Sequence, residues 1–186
     1  MTVAPRRFLA LSLIMIAFVQ SAALAKIVYD RVALLQTGRE VVLKIKPRDP
    51  RDPFKGYYSS LNYDISQLDP RLMAGGRPEF SVGDTVYVVL RNGSEGHAVP
   101  VSLYRNMPVA MTGDVVARGT VTAVSPDRIS LTYGIEDYYL PQTEAARLDN
   151  IPVETVRIVA VAGTDGQLAI KRLLVDGKPA YEEPPF

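Results

Sequence analysis

The chain has 186 residues, with 21 lysines and arginines against 20 aspartates and glutamates, one histidine, and no cysteine or tryptophan. This length suits one ordinary domain with a buried core, and a formal net charge of +1 gives no general attraction to nucleic acid. The absence of cysteine excludes disulfides, thiolate nucleophiles and zinc–cysteine sites, and a single histidine excludes a multi-histidine metal site. We therefore expect no metal, no cofactor and no nucleic-acid partner.

An apolar run follows two arginines near the N-terminus. Arg6 and Arg7 precede residues 8–19, which contain no charge, glycine or proline, and the first charge beyond them is Lys26. One interpretation is a secretory signal cleaved after Ala25, and the other is an uncleaved membrane anchor, since a bilayer crossing needs about 20 apolar residues. Under both interpretations the arginines keep the N-terminus in the cytoplasm and the rest of the chain is exported.

The residues after the apolar run favour the anchor. Val28, Val32 and Leu35 have the spacing of one helix face, and neither glycine nor proline interrupts the chain from residue 8 to residue 37. We expect one helix that crosses the bacterial inner membrane and emerges as an amphipathic stalk. Residues 1–37 then form the anchor and stalk.

Beyond the stalk, residues 38–186 have the pattern of short strands separated by turns. Three hairpins are predicted, at Asn92-Gly93, at residues 125–127 and at residues 163–166, and the single short helix is predicted at residues 143–149. The expected fold class is all-β, an antiparallel small barrel or sandwich of about eight strands, preceded by one N-terminal transmembrane or signal helix.

Three local expectations can be compared directly with a structure. Residues 57–65 are predicted as one strand, with Leu61, Tyr63 and Ile65 on its core-facing side. Residues 47–53 hold repeated X-Pro steps and are predicted to form a stiff connector. Asp176-Gly177 is predicted to end the last strand.

One short pattern, Ser-Leu-x-Tyr-x-Ile, occurs twice, at residues 60–65 and at residues 130–135. The two segments are candidates for equivalent strands whose tyrosines pack across a shared core or line a common groove. Coincidence is the favoured interpretation, because strands draw on a short list of residue types and no wider repeat period accompanies the match.

Candidate catalytic groups lie where turn chemistry explains them. His97 lies in a hairpin loop among small and polar residues, where we expect a solvated side chain, and no nucleophile elbow accompanies it. The paired acids, such as Asp49 with Asp52, lie beside proline, glycine or arginine at turns. The ten tyrosines favour a binding face or core packing.

Residues 56–63, read as Gly-Tyr-Tyr-Ser-Ser-Leu-Asn-Tyr, resemble the motif that names the GDYXXLXY proteins. Gly56, Tyr58, Leu61 and Tyr63 match the motif, whereas Tyr57 replaces its aspartate. The likeness extends to the apolar N-terminus and to five further blocks: Thr37–Glu40, Pro47–Pro53, Gly83–Tyr87, Tyr133–Glu136 and Leu174–Gly177. The resemblance implies binding roles for the following residues: Gly56, Tyr58, Leu61, Tyr63, Asp49, Arg51, Asp52, Tyr133 and Glu136.

The resemblance also implies a bacterial envelope protein that accompanies a co-encoded, multi-spanning membrane protein, with no known activity. Our first hypothesis is therefore a non-enzymatic, membrane-tethered periplasmic β-domain that binds such a partner. The second is an envelope hydrolase that uses carboxylates or a Ser–Lys pair. The third is a small barrel that binds an apolar envelope ligand between its tyrosine-rich strands.

Overall fold

The computed structural model describes residues 6–46, 59–72, 80–138 and 151–182. In this part of the chain one α-helix precedes twelve strands, of which eight have five or more residues and four have two. The fold class is the expected one. The elements are α1 (Arg6–Thr37), β1 (Arg39–Lys46), β2 (Ser59–Ser60), β3 (Asn62–Tyr63), β4 (Gln67–Leu68), β5 (Thr85–Asn92), β6 (Ala98–Tyr104), β7 (Val115–Ser125), β8 (Arg128–Thr132), β9 (Asp137–Tyr138), β10 (Val156–Ala162), β11 (Leu168–Val175) and β12 (Lys178–Glu182).

Helix α1 runs unbroken from the apolar segment into the predicted stalk. Residues 10–37 form a stretch of 28 residues that is long and apolar enough to cross a membrane; its most apolar 18-residue window has a mean hydropathy of 2.0 and is not buried. The helix ends where the Gly38 amide donates a hydrogen bond to the Leu34 carbonyl, 2.9 Å away. A Cβ at Gly38 would lie 2.6 Å from that oxygen and 2.8 Å from Val161 Cβ, so only glycine fits this exit.

The described strands form two five-stranded antiparallel sheets and one two-stranded sheet. The first sheet has the order β12-β11-β10-β1-β3 and the second has the order β4-β8-β7-β5-β6, while β2 pairs with β9. Alternate side chains from both large sheets point into one core, as expected for packed antiparallel sheets. Its fully buried members include Val41, Leu43, Tyr63, Ile65, Val86, Val88, Leu90, Val121, Ile158 and Ala160.

The end of α1 packs on the outer face of the first sheet. Leu35 is 6% exposed and contacts Val161 and Ala169, both fully buried, and Leu34 packs beside them. Full burial of one leucine side chain contributes roughly 1.5–3 kcal/mol. The helix is therefore fixed to the β-domain at its last turn rather than joined to it by a loose linker.

The strand pairing of the first half of the domain is equivalent to that of the second half. The first half comprises β1 to β6, and the second half comprises β7 to β11. The β5–β6 hairpin has its register shift between Val89 and Leu90, and the β10–β11 hairpin has its shift 70 positions later, between Val159 and Ala160. The short pairings follow the same spacing, since Ser60 pairs with Asp137 and Ser130 pairs with Gln67.

The two halves exchange strands. The first strand of each half pairs with the hairpin of the other half, β1 with β10 and β7 with β5. Within each half the first strand also pairs with the strand that carries the Ser-Leu-x-Tyr-x-Ile pattern, β1 with β3 and β7 with β8. The domain is thus a pseudo-two-fold duplication, and coincidence was the wrong interpretation of the repeated pattern.

Two other local expectations need correction. The predicted strand at residues 57–65 is interrupted, because residues 64–66 form a 3₁₀ turn, although Tyr63 and Ile65 are buried as predicted. Asp176-Gly177 does not end the last strand, since both residues have positive φ in a tight turn that leads into β12. The predicted connector at residues 47–53 and the helix at residues 143–149 lie outside the described residues.

Candidate functional site

The tyrosines of the two repeated patterns form a reciprocal pair inside the core. Tyr63 is 1% exposed and its hydroxyl donates to the Ile135 carbonyl over 2.6 Å. Tyr133 is 6% exposed and its hydroxyl donates to the Ile65 carbonyl over 2.7 Å. Because a buried phenol needs a hydrogen-bond partner, each half supplies the acceptor that the other half requires.

Glu136 organises the turn that follows Tyr133. Its carboxylate accepts hydrogen bonds from the amides of Tyr133, at 2.6 Å, and Gly134, at 2.9 Å, and its carbonyl accepts one from the Leu61 amide at 2.6 Å. Burial raises the pKa of the Tyr133 phenol well above its usual range, and the negative charge of Glu136 adds to the rise. These contacts join the two pattern segments through main-chain groups.

The hairpin turns of the two halves are also equivalent, and so are their ion pairs. The turn at residues 93–96 reads Gly-Ser-Glu-Gly and the turn at residues 163–166 reads Gly-Thr-Asp-Gly. In both turns the first glycine amide donates over 2.9 Å to the carbonyl four residues later. Lys44 lies 3.9 Å from Glu95 in one half, and Arg118 lies 3.1 Å from Asp165 in the other. This second sequence match was the signal that sequence reasoning missed.

His97 is buried rather than solvated, which corrects the expectation from its loop position. Its side chain is 8% exposed and lies 3.9 Å from both Asp64 and Glu95. Its Nδ1 has no hydrogen-bond partner in the described part of the chain. The residue of the second half that corresponds to His97 is Gln167, which is exposed. Gln167 lies beside Gly134 and Gly119. These two glycines take the positions that Asp64 and Ile45 have in the first half. A surface groove of about 330 Å³ lies there.

Some of the residues proposed from the family motif lie within the described ranges, and the others lie outside them. Leu61 is half-buried beside Tyr63, and Tyr133 and Glu136 lie in the equivalent segment of the second half. The structure therefore brings these four together. The others lie outside the described residues: Gly56, Tyr58, Asp49, Arg51 and Asp52. A binding role for the whole set stays a prediction.

A family model described as GDYXXLXY protein matches residues 20–173, which is most of the chain. The chain belongs to the GDYXXLXY family. No curated protein and no solved structure matches it. Within this family member, the final tyrosine of the named motif, Tyr63, is a core residue, and its leucine, Leu61, is half-buried and packs against the core. The second half contains their equivalents, Leu131 and Tyr133, and both are buried.

Several acids of this GDYXXLXY protein are engaged locally. Asp69 accepts a hydrogen bond from the Arg71 amide, Asp64 lies 3.5 Å from Lys46, and Glu136 closes its own turn. Among the described residues no group of three histidine or acidic side chains is arranged to hold a metal ion. Nothing in this part of the chain favours the hydrolase hypothesis.

An uncharged, exposed segment lies between β6 and β7. Residues 106–113 carry no charge, and Met107, Val109 and Met111 are 44%, 97% and 73% exposed. Contiguous exposed apolar residues of this kind mark contact surfaces, and methionine adapts to irregular partners. We call residues 107–111 the apolar loop.

The apolar loop lies close to the exit of α1. Its last residue accepts a hydrogen bond from the Asp114 amide at 3.0 Å. Two hydrogen bonds from Arg91, each 2.7 Å, hold the pKa of the Asp114 carboxyl below its usual range, and the charge of Arg39 lowers it further. Since Arg39 begins β1 directly after Gly38, the base of the loop lies within range of a charge at the helix exit.

Proposed function

We propose that this protein is a non-catalytic, membrane-tethered periplasmic domain that binds an integral membrane protein. The observation that carries the proposal is the exposed apolar loop beside the helix exit. A partner that lies in the same membrane reaches this end of the domain first. The apolar character of the loop suits a protein surface that is itself apolar.

The fixed junction between helix and domain supports the same function. Leu34 and Leu35 pack on β10 and β11, and the chain passes from α1 to β1 through close contacts at Gly38. A domain held at a constant height and angle relative to its helix presents one defined face to its partner. Less conformational freedom is then lost on binding. A long flexible tether would suit a soluble ligand instead.

Photo-crosslinking in living cells tests the proposal on the full-length chain. A photoreactive phenylalanine analogue at Val109 is expected to capture one protein with several membrane-spanning segments. The same analogue at Val82, an apolar residue 68% exposed at the other end of β5, is the control and should capture none.

The Val109→Asp variant completes the design, because an exposed position tolerates the change without loss of fold. With the photoreactive analogue at Met111, this variant should lose the cross-linked partner, and Val82→Asp should keep it. Cross-links to lipid alone, to a second copy of the chain, or equally from both positions would overturn the proposal.

A further inference from the structure

A groove lies where β8 ends beside β7. The pairing of these two strands reaches Thr120 and Thr132, and two residues earlier in β7 the Arg118 amide donates instead to the Gly166 carbonyl over 2.7 Å. The hairpin turn at residues 163–166 thus takes the place of β8 along β7. The gap between the end of β8 and the start of β11 has a volume of about 330 Å³. That volume lies at the lower end of the range for small-molecule sites, roughly 300–1,000 Å³.

The duplication shows which side chains the groove lacks. In the first half Ile45 pairs with Tyr63, and the His97 ring extends to 3.9 Å from the Asp64 carboxylate. Ile45 and His97 are both buried there. In the second half the three equivalent positions are occupied by residues without a side chain or with an exposed one: Gly119, Gly134 and Gln167. The groove therefore arises from side chains that one half has and the other lacks.

The residues that line the groove have many neutral polar groups. Thr120 of β7 lies directly opposite Thr85 of β5 and Thr132 of β8, and all three threonines are exposed and line the groove. Directly paired residues have their side chains on the same face of a sheet, with Cβ atoms about 4.5–5.5 Å apart. Gln167 lines the groove from the start of β11. Hydroxyl and amide groups both donate and accept hydrogen bonds, which suits a ligand that is itself rich in hydroxyls.

The ring of Tyr133 adds apolar carbon to the groove. A Cβ at Gly119 would lie 3.1 Å from Tyr133 Cε1, so the ring packs directly against the glycine backbone. Because the Tyr133 hydroxyl donates to the Ile65 carbonyl, the ring carbons are the part of this side chain that a ligand contacts. Aromatic carbon beside neutral polar groups is the combination that a sugar ring requires, since its C–H groups are apolar and its hydroxyls are polar.

The charges near the groove are compensated. Arg118 is the one charged residue among the described residues that line it, and its guanidinium lies 3.1 Å from the Asp165 carboxylate. The Glu136 carboxylate, close in sequence, accepts hydrogen bonds from the amides of Tyr133 and Gly134. With each of these charges already partnered, the groove favours a neutral ligand over an ion.

We propose that this groove binds one ring of a neutral saccharide. The threonines and Gln167 are the polar partners of its hydroxyls, and Tyr133 contacts its carbon atoms. The dissociation constant expected for a single sugar ring is on the order of 1 mM, because so small a ligand buries little surface. The groove contains no residue of the apolar loop, so the inference goes beyond the proposed function and does not depend on a protein partner.

Saturation-transfer difference NMR tests the proposal on the full-length chain in nanodiscs, which contain no sugar-based detergent. The probes are neutral methyl glycosides, namely the glucoside, galactoside, mannoside and N-acetylglucosaminide. We expect transfer to the ring protons of at least one of them, with none in discs that lack the protein. No transfer to any of these glycosides would overturn the proposal. Tighter binding of the charged methyl glucuronide would overturn the assignment of a neutral ligand.

Variants at exposed positions locate the binding. The double variant Thr120→Val and Thr132→Val keeps the branched side chains but removes two hydroxyls, and it should raise the dissociation constant by about tenfold. Thr122→Val, in the same strand but outside the groove, is the matched control and should bind like the parent protein. Gln167→Trp should block the groove and abolish transfer. Binding that survives either the double variant or Gln167→Trp, or that is lost in Thr122→Val, would overturn the site.

Discussion

Tyr63 and Tyr133 each donate a hydrogen bond to the carbonyl of the isoleucine that lies two residues after the other tyrosine. The two bonds differ in length by only 0.1 Å, being 2.6 Å and 2.7 Å long. They relate the two halves by a pseudo-two-fold axis that passes through the core. The final tyrosine of the family motif therefore has a structural role in joining the halves.

Replacing either tyrosine with phenylalanine removes a donor and leaves a buried carbonyl unpaired. We expect Tyr63→Phe and Tyr133→Phe each to lower the free energy of unfolding by about 1–3 kcal/mol. Urea unfolding of the full-length chain in detergent, followed by near-ultraviolet circular dichroism, measures the loss. Tyr87→Phe is the control, since the Tyr87 hydroxyl has no hydrogen bond in the described part of the chain. A loss at only one of the two motif tyrosines would contradict their equivalence.

The raised pKa of Tyr133 makes stability depend on alkaline pH. Below about pH 10 the phenol is protonated in both the folded and the unfolded chain, so its full contribution is present. Above that pH the unfolded chain releases the proton while the folded chain retains it, so stability falls as the pH rises. We expect Tyr133→Phe to reduce this fall by up to about 1.4 kcal/mol per pH unit. Equal slopes for the variant and the parent protein, measured from pH 9 to 12, would exclude this assignment.

The helix junction depends on the missing side chain of Gly38. In Gly38→Ala the new methyl group meets a backbone oxygen and Val161 Cβ, so helix and sheet must separate. We expect a loss of about 1–3 kcal/mol in the free energy of unfolding and faster hydrogen exchange in the last turn of α1. Gly163→Ala is the matched control, because its closest contacts are the ends of the Asp165 and Leu34 side chains. A larger loss in the control would show that the junction is not tightly packed.

Acid should loosen the base of the apolar loop. Folding lowers the pKa of the Asp114 carboxyl. Its contribution to the free energy of unfolding is therefore present above about pH 4 and is lost as the pH falls through the folded-state pKa. We expect exchange of the Asp114 amide, corrected for intrinsic rates, to accelerate at low pH in the parent protein. In Asp114→Asn the amide should exchange quickly at neutral pH, with little further change on acidification. Asp127→Asn, in the β7–β8 turn, should behave like the parent.

The sequence by itself determined the features that depend on neighbouring residues. The unbroken helix followed from an apolar run without glycine or proline, and the three hairpins followed from turn residues between short apolar runs. Hairpins join strands that are adjacent in sequence, so their positions need no knowledge of the rest of the fold. The all-β class followed from the same local signals.

Only the tertiary structure decided which strands pair across the duplication and what the paired strands bury. The exchange of β1 and β7 between the halves depends on contacts between residues far apart in sequence, which local periodicity does not specify. The same long-range packing buries Tyr63, Tyr133 and His97, and it leaves the groove between the end of β8 and the start of β11. A six-residue pattern could therefore suggest a repeat, but it became evidence of duplication only when each tyrosine was seen to complete the hydrogen bonding of the other half.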